Sequence, residues 1–396
     1  MTTQSMLTPA PALLRTRFVR SALWAVVLAA CTLAIPAARA QDLPTEIVTS
    51  ATPLSDAQKE AIKQYADPFL ESLRGDDAVK VRDARVALVR PLQRTDIAVG
   101  VPFRQAYSQV LGRPLATLAE DKRALNAINA MRVGAELATA EGFDIIEKGF
   151  RSPSVPVRVA AAGAASRAFV VANSTSSAVV PKRLLDAATQ LGSLLADPDP
   201  IVVDSASRAL VKAMEISRQS EVRNGACVVL CKGIVACAVK VTTQLPAPEM
   251  FDAFRRTSLA LREDLTKVQA DRPSLSPEAL RAIEELSGQL IAMVVRLVSA
   301  NALPPIRQAD AGAERKEKEA LREAPSQIVG ASEQSLSLIA DKTEPIRTNF
   351  ADKIRRASVE SDAEFVIDAR KLIGPGGRLS RPPFNLPDGL FNLNTK

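Results

Sequence analysis

The chain of 396 residues contains no histidine. That absence removes every Ser-His-Asp or Cys-His catalytic arrangement and every imidazole-held zinc, iron or copper. Any chemistry has to rest on Asp, Glu, Lys, Arg, Tyr, Ser or Cys. Aromatic residues are scarce at 4%, with Tyr65 and Tyr107 the only phenols and Trp24 the only indole, so a cleft lined by rings is poorly supplied. Strand-like alternation is missing as well. "DIAVGVPF" (96–103) is the one short candidate, and it reads equally as a loop. The glycines of "GPGG" (374–377) lack the strand and helix context of a phosphate loop.

Apolar residues make up 47% of the chain, much of it Ala, Val and Leu. This is enough for a real core, and alanine at this density favours helices that approach one another closely. The formal charge is +7, but residues 1–40 hold Arg15, Arg17, Arg20 and Arg39 with no acid, so the remainder carries 7 − 4 = +3. So small a surplus predicts no nucleic-acid partner, which would need a strongly basic face.

The N-terminus has the parts of a secretory signal peptide over 1–40. Three arginines precede the apolar run "SALWAVVLAACTLAI", Pro36 breaks it, and "ARA" ends at Ala40. The expected cut lies between Ala40 and Gln41. The expected location is periplasmic or secreted, with no transmembrane span in the mature chain, because the apolar run is shorter than the ~20 residues that cross a bilayer. "LAAC", ending at Cys31, resembles a bacterial lipobox; lipid anchoring through Cys31 is the alternative.

Residues 41–57 read as an extended leader with Pro44 and Pro53. Ser55 then opens a helix through a Ser-x-x-Gln capping box with Gln58. Three later stretches share one pattern: "LESLRGDDAVKVRDARVALV" (70–89), "IEKGFRSPSVPVRVAAAGAASRAF" (146–169) and "LGSLLADPDPIVVDSASRALVKA" (191–213). Each is an apolar helix end, a turn of Asp, Ser or Pro, a valine, and an alanine-rich helix. Val81-Arg82 and Val157-Arg158 keep a Val-Arg step that Val202-Val203 loses. The pattern resembles HEAT or armadillo helical repeats, with a degenerate unit near 115–138. The resemblance implies an all-α, irregular HEAT-like solenoid of antiparallel helix pairs over 58–245. It further implies that the alanine-rich helices at 78–90, 155–172 and 200–217 lie on one side.

Beyond the repeats, apolar stripes over 248–270 and 277–299 predict a terminal helix hairpin (246–304), with Ser276 capping the second helix and Pro277 at its first position. Residues 305–326 read as a charged linker, 327–373 as C-terminal helices, and 374–396 as a tail rich in Pro, Gly and Asn. The tail's Phe384, Leu386, Leu390 and Phe391 are apolar enough to dock.

"NGACVVLCKGIVACAVKV" (224–241) holds Cys227, Cys231 and Cys237. Zinc wants four ligands, and an i,i+4 disulfide strains its required geometry. A helix apolar nearly all round is a core helix, so the three thiols are expected as small buried hydrophobes. No catalytic, cofactor-binding or metal-ligating residue is assigned from the sequence, and no cofactor. The expected function is non-catalytic: a binding or scaffolding protein of the bacterial cell envelope whose repeat surface takes a protein or peptide partner. The alternative is an all-helical polysaccharide lyase or hydrolase using Tyr65 or Tyr107 with Arg and carboxylates.

Overall fold

A computed structural model describes residues 42–174, 178–270, 274–307, 309–340 and 346–393. The expected signal peptide, 1–40, with Cys31, lies outside the described residues. Among those described, the regular elements are helices: α1 (Thr45–Val48), α2 (Asp56–Leu73), α3 (Ala78–Val89), α4 (Val101–Ala119), α5 (Ala124–Leu137), α6 (Ala140–Phe150), α7 (Val155–Ser174) and α8 (Pro181–Gly192). They continue with α9 (Pro200–Met214), α10 (Ser220–Lys240), α11 (Pro248–Ala270), α12 (Pro277–Ser299), α13 (Gly312–Ile339), α14 (Phe350–Arg356) and α15 (Val359–Ile373), with short 3-10 turns between some of them. The alternating stretch 96–103 is loop followed by the first turn of α4.

Six helix pairs follow one another, α2/α3 to α12/α13. The first members stack in one row, α2 on α4 and so on to α12. The second members stack in another, α3 on α5 and so on to α13. This is the all-α, irregular HEAT-like solenoid that the repeats imply. The alanine-rich helices α3, α7 and α9 share the second row, and α5 fills the place of the degenerate unit. Val81, Val157 and Val202, the valines after each turn, are all buried. Stacking is the physical reason for the pattern. A helix with neighbours on both sides has no free apolar stripe, so small residues must cover most of its circumference.

Local signals act as the sequence predicts. The Ser55 side chain accepts from the Gln58 amide at 3.3 Å, and Gln58 accepts from the Ser55 amide at 2.9 Å. Ser276 caps α12 by accepting from the Ala279 amide at 3.2 Å. The Val-Arg step also gains a role. Arg158 donates to the Ser152 carbonyl of its own turn (2.9 Å) and forks onto Asp197 in the turn of the next repeat at 2.7 and 3.1 Å.

The cysteines belong to α10. Cys227 and Cys231 are fully buried, Cys237 is nearly so, and all three are free. Burial, then contact with Cys227, pushes the Cys231 thiol well above its ordinary range. Cys237 donates to the Leu195 carbonyl at 3.1 Å. The helix is apolar all round because α8, α9 and α12 surround it. Gly225 and Gly233 leave room for Leu185 and Leu195, whose side chains a Cβ would strike. By length and composition α7 and α10 are apolar enough to cross a membrane; here each stands inside a row of the solenoid.

Three segments differ from the sequence reading, and the tail docks as its apolar residues suggested. The expected extended leader (41–57) is packed over its described residues 42–57, with α1 inside it and Leu43, Ile47, Val48 and Leu54 in the core. The expected terminal hairpin (246–304) is two members of successive pairs. Helix α11 lies mainly against α9 and α13, and α12 against α10 and α13, because each row continues past them. The expected linker (305–326) is largely the first half of α13. Its Glu314–Lys318 and Arg315–Glu319 pairs form at 2.8 and 3.0 Å on the solvent side, while Arg322 turns inward to a partner at Asp362. In the tail, Arg281, Gln289 and Arg296 of α12 donate to the carbonyls of Phe384, Leu390 and Asn392 at 2.5, 3.0 and 2.7 Å. Phe384, Leu386 and Phe391 are buried there. Together with α14 and α15, this strand of tail closes the last pair.

Candidate functional site

Each helix of the second row from α3 to α11 brings an arginine to the surface: Arg85, Arg132, Arg167, Arg208 and Arg255. Two of them sit in the same tetrapeptide, Ala165-Ser166-Arg167-Ala168 and Ala206-Ser207-Arg208-Ala209, at an offset of 208 − 167 = 41 residues.

The first three line a cleft of about 400 Å³ across α3, α5 and α7. Its only carboxylate is Glu136, one turn after Arg132, and Arg167 forks onto it at 2.7 and 3.0 Å. That bond raises the Arg167 guanidinium above its ordinary value. The Glu136 backbone is fixed from behind by the buried Arg104 of α4, which donates to the Glu136 and Leu137 carbonyls at 2.8 and 3.3 Å. Arg85 and Arg132 make no hydrogen bond among the described residues, and the Arg85 Nε is buried without a partner. Burial, then the charges of Arg132 and Arg82, lower the Arg85 guanidinium below its ordinary value. Val86 and Val89 form an apolar wall beside these cations, with Val86 53% exposed, and Ala135, Ala160, Gly163 and Ala164 keep the floor low.

Helix α3 is held firmly. Asp77 caps it by accepting from the Val79 and Lys80 amides at 2.9 and 3.2 Å. Tyr65 of α2 and Tyr107 of α4 donate to the carbonyls of Ala87 and Leu88 at 2.7 and 2.8 Å. Burial raises the Tyr107 phenol well above its usual range. Both phenols named for a lyase or hydrolase are thus spent on the backbone of α3. The cleft gathers Arg and a carboxylate, but no tyrosine lines it.

One repeat further on, the arginines of the same row are paired. Asp204 accepts from Arg208 at 2.8 Å and from Arg256 of α11 at 2.8 Å, and Arg255 pairs with Asp252 at 2.7 Å. Counting back by the same 41 residues, Asp204 aligns with 204 − 41 = 163, which is Gly163. A Cβ added there would meet nothing within 4 Å. Gly163 thus stands four residues before Arg167 without the carboxylate that Asp204 sets four residues before Arg208, and the space beside it is open. In the first row three cations pair across to neighbouring helices: Lys148 with Glu120 at 3.1 Å, Arg183 with Asp144 and Glu147 at 2.7 Å each, and Lys232 with Glu278 at 3.4 Å.

None of Arg85, Arg132, Glu136 and Arg167 stood out in the sequence as a site, since single charges among apolar helix residues read as a solvated face. The usable signal was the repeated "ASRA", with glycine in one copy where the other has aspartate.

No family model matches the chain, and no curated protein matches it. Among solved structures, a crystal structure of an engineered protein is similar at 15% identity and a TM-score of 0.35, covering 68% of this chain and 97% of that one. A designed armadillo repeat protein is similar at 16% identity and a TM-score of 0.27, covering 67% and 98%. A further engineered protein covers 81% of this chain and 85% of its own at 16% identity and a TM-score of 0.29.

Proposed function

We propose that the chain is exported and acts as a non-catalytic binding or scaffolding protein of the bacterial cell envelope, holding a protein or peptide partner on the second helix row. The observation that carries this reading is the unmatched charge across three successive repeats, three arginines to one glutamate in a cleft with an apolar wall, beside a first row in which Lys148, Arg183 and Lys232 each pair across to a neighbouring helix. A surface of that kind contacts a partner over several helices, and no group in it is arranged as nucleophile or general base. Export is supported by the arginines, apolar run and "ARA" that precede Gln41.

Partner capture from native envelopes tests the reading. Charge reversal at Arg132 or Arg208 should weaken capture in steps, while reversal at the exposed Lys182 of the first row should leave it unchanged. A measurable turnover abolished by one substitution would overturn the non-catalytic assignment. Mass spectrometry of the exported protein should find Gln41 as its first residue; a diacylated Cys31 peptide would replace that with a lipid anchor.

A further inference from the structure

Resting on the second row as the binding face, we infer that the cleft across α3, α5 and α7 takes an acidic segment of a partner polypeptide, with one carboxylate held between Arg85 and Arg132. Where Asp204, four residues before Arg208, pairs with Arg208 and Arg256 in one repeat, Gly163, four residues before Arg167, offers no carboxylate. The cations facing that gap are left over: Glu136 is already committed to Arg167 in a two-point contact, and the buried Nε of Arg85 lacks an acceptor. An arginine pair presents the planar donors that suit a carboxylate. The apolar wall of Val86 and Val89 suits the aliphatic stem of a glutamate or a neighbouring aliphatic side chain. A buried donor without an acceptor is costly, so an incoming carboxylate gains more here than on an open surface. The partner thus supplies in trans the group that the next repeat holds in cis.

The test uses the full mature chain and a short fluorescein-labelled peptide alternating Glu and Val, with two analogues carrying Gln or Lys in place of Glu. Binding is read by anisotropy at low salt and again near 0.15 M, where screening is strong. The Glu peptide should bind about tenfold or more tightly than the Gln peptide, as expected for a charge-assisted contact, and the Lys peptide should bind least. Arg132→Gln should lower affinity for the Glu peptide about tenfold and flatten its salt dependence. Gly163→Asp should do the same by filling the gap from within. Arg208→Gln should leave binding unchanged. Arg132→Glu should move the preference toward the Lys peptide, an effect that mere damage to the fold does not produce. Binding of the Glu peptide that neither Arg132→Gln nor Gly163→Asp alters would overturn the inference. So would equal or tighter binding of the Gln or Lys peptide, although a peptide-binding face would then stand. If none of the three peptides binds, the acidic segment is wrong; capture of an envelope partner lost on reversal at Arg208 would then still support the row as an interface.

Discussion

Across α3, α5 and α7, three arginines meet one carboxylate and all stay near the surface. Between α10 and α15, the arginines that leave the surface do so with partners. Arg223 of α10 meets Asp264 of α11 at 2.7 Å. Arg322, 1% exposed on α13, forks onto Asp362 of α15 at 2.7 Å twice and donates to the carbonyls of Leu303, Pro304 and Ile354. The same residue type serves opposite ends in the two regions. A buried guanidinium whose donors are satisfied ties elements together and has nothing left to offer a ligand. A half-exposed one without a partner adds little to stability and remains available.

The largest break of this comparison is expected at Arg322. Arg322→Ala leaves Asp362 buried and unpaired, and it should lower unfolding stability by about 3–5 kcal/mol. Urea titration reads the loss, and hydrogen exchange should place it in α14 and α15. A loss under about 1 kcal/mol would show that the C-terminal end does not depend on matched charge.

The next effect belongs to a carboxyl in that region which is buried without a close partner. Glu284 of α12 is 7% exposed, and burial pushes it up from 4.5 to about 7 against the pull of Arg281, 3.9 Å away. The folded chain then keeps a proton that the unfolded chain releases between those values. Stability should therefore fall as pH rises through that window and level off above it. Glu284→Gln should raise stability by about 2–3 kcal/mol near pH 8 and hardly at all near pH 4. Equal gains at both pH values would contradict the shift.

A smaller effect is expected at Cys231, in the interior that both regions share. Cys231→Ser should cost about 1 kcal/mol more than Cys231→Ala, since a hydroxyl in an apolar setting loses its water and regains at best a bent bond to its own helix. Thermal melts of the two variants give the difference; a more stable serine variant would mean that a polar partner lies within reach.

The smallest effect sharpens the contrast from the other side. Arg132→Gln should change stability by less than about 0.5 kcal/mol, with a slight gain from relieving repulsion of Arg85, while it weakens the acidic peptide. A large destabilisation would turn the arginine cleft into one more structural joint.

Much of the frame was legible residue by residue. The Ser55 and Ser276 caps form, Val81, Val157 and Val202 are buried after their turns, and the cysteine helix is a core helix. These features depend on neighbours within a few residues or on the composition of a single helix. The charged stretch 305–326 misled because Arg322 has its partner 362 − 322 = 40 residues ahead, and an arginine among glutamates reads as solvated until that partner is in place. The leader misled in degree: its apolar residues were visible, but the surface that covers them was not; the tail's docking residues were legible, and only the face of α12 that receives them was not.

The sequence by itself determined an all-helical chain whose valines and alanines recur after each turn, because helix propensity, capping and burial are properties of short segments and survive in any context. Tertiary structure alone decided which charges meet. Stacking brings Arg85, Arg132 and Arg167 to one cleft from positions 35 to 47 residues apart (167 − 132 and 132 − 85). Electrostatic matching acts through space over a few ångströms, and only the packed rows set those distances.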